Sequence, residues 1–122
     1  MLSVGIDLVE IDRIERAMKN PRFCRRILGK QEYQQMEERG FPPASVAVSF
    51  CAKEAFSKAL GTGVRGFSLE EVELLRDKLG KPYLHLEGDA LALAQERGLQ
   101  FAVSATHTRS YASVVVIGEE QK

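Results

Sequence analysis

The chain has 122 residues, 17 Lys and Arg against 17 Asp and Glu for a formal net charge of zero, and an apolar fraction of 44%. This is the profile of one globular domain over residues 1–122, long enough to build a core. It excludes a membrane-spanning helix, for which a run of ~18 apolar residues is needed, and with a neutral balance it argues against bulk nucleic-acid binding.

Met1–Asp7 lacks the basic segment and long apolar run of a secretory leader. Cys24 and Cys51 are too far apart for a metal motif, so the expectation is a reduced, cytosolic protein. Leu2–Val9 is apolar and β-branched and predicts a strand carrying one carboxylate, Asp7. Glu10–Met18 follows as a helix with Ile11, Ile14, Ala17 and Met18 at helical spacing, and Asn20-Pro21 breaks it. Further helices are predicted over Arg22–Leu28 and Gln31–Arg39, stopped by Gly40-Phe41-Pro42-Pro43.

Ser45 is the candidate N-cap of a long helix that ends at Gly61. Its apolar stripe is Val48, Cys51, Ala52, Ala55, Phe56 and Ala59. Val64–Ser68 reads as a loop, and Leu69–Arg76 and Tyr83–Leu86 as a hairpin turning through Asp77–Pro82. Gly88–Arg97 is a short helix ended by Gly98. Phe101–Ala105 and Tyr111–Ile117 are strands joined by Thr106–Ser110, with a frayed polar tail after them. The order predicts an α+β domain, mostly antiparallel sheet with helices packed on one face.

Two features carry chemistry. Glu54 and Lys58 stand four apart and so share a helical face, beside a Gly61-Thr62-Gly63 turn that a ligand can approach closely. By itself such a pair is an ordinary solvated ion pair. Joined by Asp7 it offers the carboxylates and cation that Mg²⁺-assisted phosphoryl transfer requires. His107 lies in a turn with Ser104, Thr106 and Thr108, which suits either plain exposure or phosphate binding. The second feature is charge placement. Arg13, Arg16, Lys19, Arg22, Arg25, Arg26 and Lys30 face a single acid, Glu15, which points to an acidic partner. No phosphate loop, dinucleotide fingerprint or nucleophile elbow is present.

In chain order these pieces are Gly5-Ile6-Asp7 with Val9-Glu10-Ile11 and Arg13-Ile14, then Phe23, Arg26-Ile27 and Glu32. Phe50 and Ala52-Lys53-Glu54-Ala55-Phe56-Ser57-Lys58-Ala59 with Gly61-Thr62-Gly63 follow. Gly80-Lys81-Pro82, Ser104-Ala105-Thr106-His107-Thr108 and Tyr111-Ala112 complete the set. Over nearly its whole length the chain resembles the holo-(acyl-carrier-protein) synthases, the small bacterial type of 4′-phosphopantetheinyl transferase. The resemblance implies transfer of phosphopantetheine from coenzyme A to a serine of acyl carrier protein, in support of fatty-acid biosynthesis, with adenosine 3′,5′-bisphosphate released.

It further implies Mg²⁺ on Asp7 and Glu54, catalytic charge from Lys58, and coenzyme A phosphates on His107 and Thr108. Gly63, Lys81 and Pro82 would line the adenosine region, and Arg13, Arg22 and Arg26 would dock the carrier protein. The family forms homotrimers with active sites between chains. The serine proton would go to Glu54 or to a metal-held water. Two positions depart from the pattern: Gly29 stands where a threonine is frequent, and Ser49 where an arginine usually helps hold the 3′-phosphate of coenzyme A, so that either Lys53, Arg65 or another cation replaces it or coenzyme A binds more weakly. A coenzyme A pyrophosphate hydrolase would keep the metal pair without needing the basic surface. A non-catalytic binding module would not need Asp7, Glu54 and Lys58 together.

Overall fold

The computed structural model describes residues 1–121. In chain order the elements are β1 (Leu2–Glu10), α1 (Ile11–Ala17), α2 (Phe23–Ile27), α3 (Lys30–Glu38) and α4 (Pro43–Leu60). A 3₁₀ turn (Leu69–Glu71) leads into β2 (Val72–Arg76), β3 (Pro82–Leu86), α5 (Gly88–Glu96), β4 (Leu99–His107) and β5 (Tyr111–Glu120). All strand pairings are antiparallel, in a three-stranded sheet of order β1-β5-β4 and a separate β2-β3 hairpin.

Helix α4 organises the molecule. Ala47, Cys51, Ala52, Ala55, Phe56 and Ala59 are buried, and the small side chains among them let the helix lie close on the inner face of the sheet. Closest approach is at Gly5, where an added Cβ would stand 2.0 Å from the Ala55 carbonyl oxygen and 2.5 Å from the Ala59 nitrogen. Phe56 is the aromatic hub, edge-on to Phe67 at 5.5 Å and tilted against Phe101 at 4.9 Å. Gly61, with φ of 82°, ends the helix in the left-handed conformation.

A buried ion pair ties the hairpin to the helices. Lys53 Nζ meets Glu32 Oε1 at 2.7 Å and donates also to the Val72 carbonyl oxygen. Glu32 Oε1 accepts the Gly29 N–H at the start of α3, and Oε2 accepts that of Leu74. Burial pushes the Glu32 carboxyl up and the Lys53 ammonium down, each opposed by the charge of the other. Glu73 Oε1 accepts the N–H groups of Gln31 and Glu32, supplying the cap that Gly29, lacking a side chain, does not.

Several boundaries differ from expectation. Ser45 is not the N-cap: α4 starts at Pro43, a first-turn position that needs no N–H donor, and Ser45 Oγ instead accepts from Arg39 Nη2 at 2.8 Å. Leu69–Glu71 is a 3₁₀ turn rather than strand, because Glu71 Oε1 reaches back to the Ser68 N–H. The tail is not frayed before Glu120: Glu119 pairs with Leu2 and Gln100, and Glu120 with Leu99. β4 likewise runs on through Thr106 and His107, so the link to β5 is three residues.

The alternation on β1 is inverted with respect to polarity. Ser3, Gly5, Asp7 and Val9 face α4, while Leu2, Val4, Ile6 and Leu8 face outward with exposures of 61–68%. Ile117, opposite Val4, and Val115, opposite Ile6, lie on the same outer face.

Candidate active site

β1 and α4 assemble the central cluster. Asp7 lies on the helix-facing side of β1, and its side chain is 19% exposed. Cys51, Glu54 and Lys58 follow one another at three- and four-residue spacing along α4, which stacks them on one stripe. Lys58 Nζ lies 3.1 Å from Asp7 Oδ1 and donates to the Ile6 carbonyl oxygen at 3.0 Å. The lysine side chain is 53% exposed and free to turn toward a ligand.

Burial, and then the charge of Asp7, push the Glu54 carboxyl up, with Lys58 opposing. No hydrogen bond to the Glu54 carboxylate is found among the described residues. Two carboxylates thus lie close enough to feel one another's charge, with the exposed Lys58 ammonium paired to one of them. That donor set suits a hard divalent cation of the Mg²⁺ type, which takes one or two carboxylates and completes its shell with waters and phosphate oxygens.

Cys51 was expected in the core. It is buried, yet its thiol is a neighbour of the site: Sγ lies 3.2 Å from the Asp7 carbonyl oxygen and 3.6 Å from Asp7 Oδ2. Burial, with the charge of Asp7 next, pushes the thiol up to about 12. Ser113 Oγ also donates to the Asp7 carbonyl oxygen, at 3.0 Å. In the sequence the only hint of the Cys51 contact is spacing, since Cys51 precedes Glu54 by one helical turn, and Ser113 carries no such signal.

His107 shares the inner face with Asp7. It pairs with Ala112, and Ala112 with Val9, which places His107 two strands away from β1, about 10 Å at the usual strand spacing. Thr108 Oγ1 accepts the N–H groups of Ser110 and Tyr111, and its own N–H donates to the Tyr111 carbonyl oxygen. No acceptor for the hydroxyl proton is found among the described residues. The Ser110 carbonyl accepts the Ile11 N–H at 2.9 Å, so this turn abuts the start of α1. Arg13 follows on α1, and Arg22 and Arg26, one turn apart at α2, are exposed like it.

The remaining expected ligands are not gathered in one chain. Gly63 lies past the C-terminus of α4 with φ of 63°. Pro82 pairs with Arg76, which lines a small pocket with Ser45 and Ser49 in the N-terminal half of α4. Ser49 and Leu60 are about 16 Å apart along the axis. Ser49 itself is buried and projects about 140° around α4 from Glu54. Neither expected substitute cation reaches it: Lys53 is sealed against Glu32, and Arg65 follows Gly61 at the far end. Arg39 and Arg76 are the cations lining its pocket. Burial and then Arg39 pull the Arg76 guanidinium down.

A separate group, Glu73, His85 and Glu87, has potential ligand atoms within 4.8 Å of one another on the β2-β3 hairpin. There Glu73 already caps α3, and His85 Nε2 lies 3.1 Å from Glu87.

Residues 3–115 match the model of the 4′-phosphopantetheinyl transferase superfamily. The chain is 44% identical over 124 aligned residues to the holo-(acyl-carrier-protein) synthase of Chloroherpeton thalassium, covering 99% of this chain and 100% of that one. To the synthase of Treponema denticola it is 40% identical, with 98% of each chain covered. Among solved structures, the synthase of Neisseria meningitidis superposes with a TM-score of 0.89 at 34% identity, covering 97% of this chain and 98% of that one. The Bacillus anthracis enzyme in complex with coenzyme A (3′,5′-ADP) superposes with a TM-score of 0.81 at 31% identity, covering 98% and 96%.

Proposed function

The chain belongs to the 4′-phosphopantetheinyl transferase superfamily, and from that premise we propose that it transfers 4′-phosphopantetheine from coenzyme A to a serine of apo acyl carrier protein, with Mg²⁺, in support of fatty-acid biosynthesis in the cytoplasm. The observation that carries the reading is the convergence of Asp7, Glu54 and Lys58 between β1 and α4. The serine hydroxyl gives up its proton to Glu54 or to a water and attacks the pyrophosphate phosphorus nearer the pantetheine, a phosphodiester forms on the serine, and adenosine 3′,5′-bisphosphate leaves. Such a displacement depends on positioning and charge neutralisation rather than on an enzyme nucleophile. The deep, fully protonated thiol of Cys51 is consistent with that.

Asp7 and Glu54 would hold the ion, which when bound neutralises pyrophosphate charge. Lys58, exposed and paired only at one edge, supplies positive charge as negative charge moves onto the leaving group. His107 and the free hydroxyl proton of Thr108 bind coenzyme A phosphate oxygens from the sheet side. Arg13, Arg22 and Arg26 dock the acidic carrier protein, and the Ile11–Ser110 hydrogen bond brings that surface next to the phosphate-binding turn.

The protein acts as a homotrimer with coenzyme A between chains. Two features support this. The outer face of the sheet presents Leu2, Val4, Ile6 and Leu8 to solvent in one chain, an apolar patch of the kind that marks an interface. Gly63 follows the C-terminus of α4, whereas Pro82 pairs with Arg76, which lines a pocket with Ser45 and Ser49 in its N-terminal half, and a second chain would bring both sets to one nucleotide.

Intact mass spectrometry of apo carrier protein incubated with the protein, Mg²⁺ and coenzyme A tests the reaction. A mass gain of one phosphopantetheine is expected. Coenzyme A cleavage with no carrier modification would establish the hydrolase instead.

A further inference from the structure

We propose that Cys51 is a positioning residue for Asp7, its S–H fixing the carboxylate in the orientation that receives the divalent cation. The inference rests on the reading of Asp7 and Glu54 as the cation's ligands. Three observations carry it.

First, the two oxygens of Asp7 are held from different sides. Oδ1 lies 3.1 Å from Lys58 Nζ, and Oδ2 lies 3.6 Å from Cys51 Sγ. Among the described residues, Cys51 is the donor within hydrogen-bond distance of Oδ2. Second, the thiol also reaches the Asp7 main-chain oxygen at 3.2 Å, an oxygen that already accepts from Ser113 Oγ at 3.0 Å, so the one S–H proton is shared between the backbone and the carboxylate of the same residue. Third, Cys51 has no freedom to leave. It is fully buried on α4, where Gly5 lets the helix press against β1, and the other polar groups in reach of Sγ are main-chain ones, the Val114 N–H and the Ala112 carbonyl oxygen, the latter at 3.8 Å. A thiol is protonated at neutral pH at its ordinary pKa, so it faces these acceptors as a donor.

The consequence is directional. Lys58 is half-exposed and is needed at the substrate, so when it swings away Asp7 loses its Oδ1 partner. Cys51, which stays in place, then keeps the side chain from rotating. A preoriented carboxylate loses less rotamer freedom when the cation arrives. Removing the donor therefore weakens cation binding more than it slows turnover once the cation is bound.

The test uses the intact protein and Mn²⁺ as the probe, with binding read by electron paramagnetic resonance in the absence of substrates. Cys51→Val removes the donor and keeps the site apolar with a slightly larger side chain, and Cys51→Ser preserves a donor in a slightly smaller one. We expect Cys51→Val to weaken Mn²⁺ binding about fivefold, the scale of one modest hydrogen bond, and Cys51→Ser to stay near wild type. In the transfer assay the concentration of Mg²⁺ for half-maximal rate should rise in parallel for Cys51→Val, with kcat at saturating Mg²⁺ little changed.

A readout independent of the metal is the S–H stretching band in a Cys24→Ser background, which leaves Cys51 as the sole thiol. It should lie below the free-thiol frequency and move when Asp7 is replaced by alanine. A band at the free-thiol frequency overturns the inference. So does a Cys51→Val protein that binds Mn²⁺ as wild type does while Asp7→Ala has lost binding, and there the metal assignment survives. Mn²⁺ binding unaffected by Asp7→Ala overturns the metal assignment itself, and the inference with it.

Discussion

Replacing Gly5 by alanine puts a methyl group where α4 crosses β1. The new Cβ would stand 2.0 Å from the Ala55 carbonyl oxygen, 2.5 Å from the Ala59 nitrogen and 2.9 Å from Lys58 Cβ. The first two are backbone atoms, so no side-chain rotation relieves the contact. Ordinary van der Waals separation requires α4 to retreat from β1 by about 1.5 Å. Overpacking of this kind costs about 1–3 kcal/mol, a drop in melting temperature on the order of 5–10 °C for a domain of this size.

The effect on catalysis should be at the upper end of the effect on stability, since a hundredfold in rate is about 2.7 kcal/mol. Asp7 is two residues along β1 from Gly5, and Glu54 and Lys58 flank the clash on α4, so the same retreat separates the Asp7 and Glu54 carboxylates. A displacement of about 1 Å is enough to cost roughly a hundredfold in rate. Gly5→Ala should therefore remain folded by circular dichroism at 25 °C, melt lower, and transfer phosphopantetheine about a hundred times more slowly at saturating Mg²⁺. Wild-type melting together with wild-type transfer would refute the reasoning, because the close approach of α4 would then not be what assembles the site.

Glu54→Gln should stabilise the metal-free protein at neutral pH. The Glu54 carboxyl is pushed up by burial and by Asp7, so its favourable contribution is present below the ordinary carboxylate range and is lost as pH rises through its folded value. Glutamine does not titrate, and the difference in melting temperature should vanish below the ordinary range; thermal melts across pH decide it. Lys53→Ala should cost about 3–5 kcal/mol by leaving the buried Glu32 without its partner, measured by denaturant unfolding. Charge reversal at Arg13 or Arg26 should raise KM for carrier protein several-fold and flatten its salt dependence, while KM for coenzyme A stays unchanged. Steady-state kinetics at low and high salt measure it, and a parallel rise in KM for coenzyme A would place these arginines at the nucleotide.

What was legible in the sequence follows the strength of local signals. The long helix was readable from its apolar stripe and its terminating Gly61, and the hairpin from Gly80-Lys81-Pro82. Its start was misplaced because serine is a good cap and Ser45 stood in range, whereas Pro43 begins the helix without one. The end of β5 was misjudged because Glu119 and Glu120 are polar, although a backbone ladder with β1 and β4 holds them. Glu54 and Lys58 were visible as a pair within one helix. That Asp7 joins them depends on Gly5, and Gly5 can be understood only once a helix is seen lying on it. Cys51 was hidden for the same reason. A small apolar residue on a buried stripe looks like core unless the strand beneath it carries a carboxylate. Lys53 looked available to a phosphate by charge alone, and only packing shows it enclosed with Glu32.

The central claim is that Asp7 and Glu54 together support phosphopantetheine transfer through one divalent cation. The most direct measurement is the rate of carrier-protein modification by Asp7→Ala and Glu54→Ala, followed by intact mass at saturating Mg²⁺, with folding of each variant checked by circular dichroism. Both variants should be folded, and neither should modify the carrier at a detectable rate. Wild-type turnover by folded Glu54→Ala under saturating Mg²⁺ would contradict the account.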